Sequence, residues 1–173
     1  PQKAGKMAAE MAAEDVSAPS IVYVFSGSQL ADESLLRSIQ DVFPDTTIIG
    51  CSTAGEQCEL SVGTGSVVLM ALESADMTIS TGVGTDISTD EVSAGKKAAG
   101  EALDGLNEDT LSVRSLEKKD GNWDARAPVT FTVLSTTLQG DAAAVMNGIQ
   151  SVLGDAAYAT GGLAGDDWKM KQT

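Results

Sequence analysis

No histidine occurs among the 173 residues. That absence excludes His-dependent catalytic triads, His-ligated haem and zinc sites that need a His ligand. Cysteine is scarce too. Cys51 and Cys58 give no paired metal-ligand spacing, and a reduced cytosolic state is the simplest reading of them. Bases are few: eight lysines and three arginines face 25 acids, for a net charge of −14. The only basic pairs, Lys96-Lys97 and Lys118-Lys119, sit close to acids. Nucleic acid and anionic membranes are therefore poor partners. No window approaches the roughly 18 uninterrupted apolar residues of a membrane span. The start, Pro1–Glu14, lacks the basic-then-apolar order of a secretory signal. So acidic a surface suits a high-salt cytoplasm, and cytoplasmic is the expected location. The first residue is not Met, so the chain reads as a piece of something longer.

What is present suffices for a core. At 42% hydrophobic residues and ordinary domain length, residues 1–173 are expected to form a single α/β domain. Ala4, Met7, Ala8, Met11 and Ala12 recur at helical spacing over 2–15. Residues 21–25 (IVYVF) read as a buried strand, ended by Ser26-Gly27-Ser28. A helix through about Phe43 follows, with Leu35, Leu36, Ile39 and Val42 on one face and Asp32 or a neighbour as cap. Thr46–Ile49 is a second strand, leading into a loop of small residues. Residues 66–73 and 76–83 read as strands, and the short Ser74-Ala75 link predicts that they pair as an antiparallel hairpin. A helix from Thr89 to Leu103 comes next. The polar, glycine-broken stretch 104–127 reads as a mobile loop. A strand at 129–134, a helix at 141–152 and a strand at 156–160 complete the pattern.

The stretches 21–56 and 130–166 share one layout: strand, helix, strand, glycine-bearing loop, acid. At a shift of 110, Ile39-Gln40 falls on Ile149-Gln150, Ala54-Gly55 on Ala164-Gly165 and Glu56 on Asp166. Common ancestry and a shared strand–helix–strand design account for this equally well. Either way, each stretch predicts a right-handed βαβ unit with parallel strands. The expected fold is thus α/β: a mixed β-sheet flanked by helices, built on two similar βαβ units plus the hairpin.

In open α/β sheets, ligands bind beyond the carboxyl ends of the strands. Both small-residue loops lie there, so both are expected to face a common cleft. Gly50, Gly55, Gly161, Gly162 and Gly165 permit close backbone approach. Loop N–H groups suit a carboxylate, Ser52 and Thr53 add hydroxyls, and Glu56 and Asp166, with Asp167 beside it, add acceptors for an ammonium group. Donors on one side and carboxylates on the other suit a zwitterion such as an amino acid. Tight turning at sheet edges explains the same glycines without a ligand.

Enzyme chemistry is less well served. Cys51 follows a strand, as nucleophiles often do, but no histidine exists to activate it, and a small buried residue is the competing reading. Ser52 has no G-x-S-x-G setting, and residues 161–165 (GGLAG) match neither G-x-G-x-x-G nor the P-loop. Asp166-Asp167 is a carboxylate pair suited to magnesium or calcium, yet chance pairs are common with 25 acids. No cofactor is expected.

Residues 50–56 (GCSTAGE) and 161–166 (GGLAGD), in this order and reached from strands, resemble the amino-terminal FIST domain. The resemblance spans roughly residues 4–168. It implies a sensory input domain in signal transduction, found beside histidine kinases, cyclic-dinucleotide enzymes and chemotaxis receptors, with small ligands such as amino acids. Some relatives sense nitric oxide on a His-ligated haem; without histidine, that branch does not carry over. Family members usually continue into a carboxyl-terminal FIST region, which this sequence lacks. The leading expectation is a non-catalytic ligand-binding domain using Gly50, Cys51, Ser52, Thr53, Gly55, Glu56, Gly161, Gly162, Gly165 and Asp166. A kinase or other effector domain is the expected protein partner. The alternatives are a Cys51-nucleophile enzyme and a protein-interaction scaffold.

Overall fold

The computed structural model describes residues 1–59, 61–106, 115–119, 122–126, 129–136, 138, 140–154 and 158–171. They form a mixed α/β structure of two compact units. The first comprises residues 1–77 and 164–173, and the second residues 78–163.

The first unit opens with helix α1 (Gln2–Ala13), strand β1 (Ile21–Gly27), helix α2 (Glu33–Gln40) and strand β2 (Thr47–Thr53). Two short strands follow, β3 (Glu56–Cys58) and β4 (Ser61–Gly63), and then β5 (Val67–Leu72). β1 lies between β2, to which it is parallel, and β5, to which it is antiparallel. The Asp32 side chain accepts the Leu35 N–H and so starts α2. Every second residue of β1 points to one face: Val22 and Val24 are buried there with Ala9, Leu35, Ile39 and Phe43. Ile48, Val67, Leu69 and Ala71 from the neighbouring strands pack against that cluster.

The second unit contains helix α3 (Glu91–Asp104), paired strands β6 (Ser115–Lys119) and β7 (Asn122–Arg126), strand β8 (Thr130–Ser135), helix α4 (Ala142–Leu153) and strand β9 (Tyr158–Leu163). Asp90 and Asp141 cap the two helices. β8 and β9 are parallel, joined through α4 as β1 and β2 are joined through α2. The small core gathers Ala99, Val145 and Ile149. Where α3 crosses α4, a Cβ on Gly95 would stand 2.2 Å from the Val145 carbonyl oxygen, and one on Gly148 2.2 Å from that of Val92. Two glycines therefore let these helices touch backbone to backbone.

The repeat reaches into the packing. The buried residues of α2 are Leu35, Ser38 and Ile39; those of α4 are Val145, Gly148 and Ile149, each 110 positions on. Outside that register, buried Gly5 and Ala9 of α1 have counterparts in Gly95 and Ala99 of α3, each 90 positions on. Each unit thus sets a glycine-bearing helix against the helix that links its parallel strands.

Three expectations need correction. The hairpin over 66–83 does not form, because β5 pairs with β1 and residues 77–86 make no strand. Gly82 and Gly84 instead lie against α3, where a Cβ would come within 2.1 Å of Ala98 O and 2.2 Å of Ala94 O, and the Val83 N–H donates to the Glu101 carboxylate. Second, the expected mobile loop 104–127 contains β6 and β7; most of its remainder lies outside the described residues. Third, Gly50–Thr53 and Gly161–Gly162 are strand, since pairing with β1 and β8 carries β2 to Thr53 and β9 to Leu163.

Candidate functional site

β1 and β2 end side by side, with Gly27 opposite Thr53. Residues 164–171 cross these ends as a strap. The Gly165 N–H donates to Ser52 O at 2.8 Å and the Asp167 N–H to Thr53 O at 3.2 Å. Gly165 must be glycine for this approach, because a Cβ would lie 2.7 Å from Ala54 N. The Asp167 carboxylate then reaches the end of β1. Its Oδ2 accepts the Ser28 N–H at 2.9 Å and the Ser28 hydroxyl at 2.7 Å. Lys169 Nζ lies 3.4 Å from the same oxygen and donates to Ser28 Oγ at 2.6 Å. The Ser28 hydroxyl, more than any other group, holds the Asp167 carboxyl below the usual carboxylate range.

Two repeat-related acids are buried here: Glu56, next to β2, is 3% exposed and Asp166, on the strap, 4%. Glu56 accepts the Ser66 N–H at 2.9 Å, the Ser66 hydroxyl at 2.6 Å and the Thr53 hydroxyl. Burial pushes its carboxyl up, but these hydrogen bonds outweigh burial and leave it below its ordinary value. Asp166 accepts the N–H groups of Met170 at 3.0 Å and Lys171 at 2.6 Å. In this conformation both acids clamp the backbone that follows them.

The hydroxyls of Ser26 and Ser52 stand out for the opposite reason. The two residues face each other across β1 and β2, on the face that carries Val22 and Val24. Ser26 is only 2% exposed, yet its hydroxyl makes no hydrogen bond among the described residues, and neither does that of Ser52. Buried polar groups are overwhelmingly paired, so such a hydroxyl marks a place where a partner belongs. Cys51 lies opposite Phe25, and burial pushes its thiol up, away from a reactive thiolate. No disulfide joins it to Cys58.

Eight expected site residues thus come together in the first unit: Gly50, Cys51, Ser52 and Thr53 on β2, Gly55 and Glu56 just after it, and Gly165 and Asp166 on the strap. Gly161 and Gly162 lie on β9 of the second unit, opposite Val133 and Leu134. Sequence reasoning passed over Ser26, Ser28 and Lys169. The Ser26-Gly27-Ser28 run at the end of β1 was the available signal, because it occupies the same carboxyl edge as the β2 residues. No group of three or more His, Cys, Asp or Glu residues suited to a metal ion occurs among the described residues.

Comparison with known families decides what kind of domain this is. The family model of the FIST N domain matches residues 20–173. The chain belongs to the FIST N domain family. No curated protein and no solved structure matches it. FIST domains are sensory domains of signalling proteins. Among the described residues of this FIST N domain, no helix is long and apolar enough to cross a membrane.

Proposed function

We propose that this FIST N domain is a non-catalytic sensor that binds a small polar ligand at the carboxyl ends of β1 and β2. The observation that carries the reading is the Ser26 hydroxyl: buried, without a hydrogen-bond partner among the described residues, and beside the equally unpartnered Ser52 hydroxyl. That position is where α/β sheets take ligands. An amino acid fits the chemistry, with hydroxyls and strand-end N–H groups for its carboxylate and the acid-rich surroundings of Glu56, Asp166 and Asp167 for its ammonium group. Signalling needs only that the ligand favour one conformation over another, with a cytoplasmic kinase or similar effector domain reading the difference.

Thermal unfolding of the full chain with each proteinogenic amino acid in turn tests this. At least one should raise the melting temperature, by about 2–4 °C at saturating concentration. Ser26→Ala combined with Ser52→Ala should abolish that rise and leave the unliganded melting temperature almost unchanged, since neither hydroxyl holds anything. Silence across the whole set, or a full response from the double variant, defeats the proposal.

A further inference from the structure

The strap carries its own anion. Three donors, the Ser28 N–H, the Ser28 hydroxyl and the Lys169 ammonium, gather on one oxygen of Asp167. This is the donor set expected around a bound carboxylate, supplied here by the chain itself. We propose that the strap is an autoinhibitory latch: Asp167 occupies a carboxylate-binding cradle at the end of β1, and a ligand's carboxylate competes with it for the Ser28 N–H and hydroxyl. The inference rests on the small-ligand reading of this strand end and assigns one half of the ligand's chemistry.

The strap's backbone shows what holds it. Asp167, Trp168 and Met170 all have left-handed φ angles, of 56°, 62° and 54°. None is glycine, so each disfavours this conformation. Trp168 and Met170 are moreover 82% and 70% exposed, so apolar burial of these side chains does not offset the strain. What fixes the strap is polar: the Asp167 latch, the Asp166 clamp and two N–H donations to the end of β2. Losing the latch removes one of these supports and lets strained residues relax, which is how a small ligand moves a segment several residues long.

Two measurements on the full chain test the latch and the cradle separately. Trypsin needs a displaced, extended segment to cut well after Lys169, so release of the strap speeds that cleavage. Asp167→Ala should speed cleavage there about tenfold over the unsubstituted chain, and Ser28→Ala should act in the same direction. Unchanged cleavage in both variants overturns the latch. Sodium acetate, compared with sodium chloride at equal ionic strength, probes the emptied cradle. It should raise the melting temperature of Asp167→Ala but not that of Asp167→Ala with Ser28→Ala. Equal responses, or none, overturn the cradle. An amino-acid response that depends on Ser26 and Ser52, alongside a strap unmoved by Asp167→Ala, would refute the latch and leave the sensor reading standing.

Discussion

Alanine at Gly95 and alanine at Gly100 should move stability in opposite directions, although both lie inside α3. Replacing a mid-helix glycine by alanine favours the helix by about 1 kcal/mol, through reduced backbone freedom in the unfolded chain. At Gly100 nothing lies within 4 Å of the new Cβ, so Gly100→Ala keeps that gain. At Gly95 the Cβ would meet Val145 O at 2.2 Å and Ile149 N at 3.1 Å. Both are backbone atoms of α4 and cannot swing aside. Restoring ordinary contact moves the helices apart by roughly 1 Å, a gap that forfeits a quarter to a half of each dispersion contact along the crossing. Overpacking of this kind costs about 1–3 kcal/mol. With the propensity gain set against it, Gly95→Ala should end about 1 kcal/mol below the unsubstituted chain. The two variants should therefore differ by about 2 kcal/mol, a factor of roughly 30 in the opening equilibrium. Hydrogen exchange at the Ala99 and Ile149 amides reads that opening within the second unit, whatever the first unit does. If Gly95→Ala protects these amides as well as Gly100→Ala does, the close helix crossing is wrong.

Three further outcomes are expected. Glu56→Ala strands the Ser66 N–H and two hydroxyls and should cost about 2–4 kcal/mol at neutral pH by urea unfolding. Because the folded carboxyl sits below its ordinary value of 4.5, its stabilisation is complete above that value and fades as pH falls through the folded value. The gap between the unsubstituted chain and Glu56→Gln should accordingly narrow in acid; a pH-independent gap contradicts the burial and bonding described for Glu56. Iodoacetamide should label exposed Cys58 well before Cys51, whose thiol is half-buried and pushed up. Preferential labelling of Cys51 near neutral pH would favour the nucleophile alternative over the sensor reading.

The helices were legible because their signals are local. Asp32, an Asp shortly before Glu91 and the apolar spacing around Leu35 and Ile39 announce α2 and α3 through neighbours a few residues away. The repeat was legible for the same reason, and its buried positions recur where the shift of 110 puts them. The strand ends were not. Small residues such as Gly50, Ser52 and Gly161 resemble loop, and only pairing with a distant strand makes them β. The false hairpin arose in the same way: the alternation around Met77 and Ile79 suggested a strand, but glycines 82 and 84 serve a close approach to α3. At the candidate site, sequence pointed to residues 50–56 and 161–167 as two loops, and the structure puts the first run with Gly165 and Asp166 in the first unit. Sequence could not show that Glu56 and Asp166 bind their own backbone, because that depends on folding that no spacing encodes.

The first unit is discontinuous along the polypeptide, and this shapes the order of events on the ribosome. Residues 1–77 emerge early, but the segment that lies across their strand ends begins only at Ala164. At ordinary elongation rates, synthesis of the intervening stretch takes on the order of ten seconds. Throughout that interval Ser28, Ser52 and Thr53 wait without the groups that later bind them. A nascent chain of this protein therefore presents the ends of β1 and β2 uncovered before the finished molecule closes them.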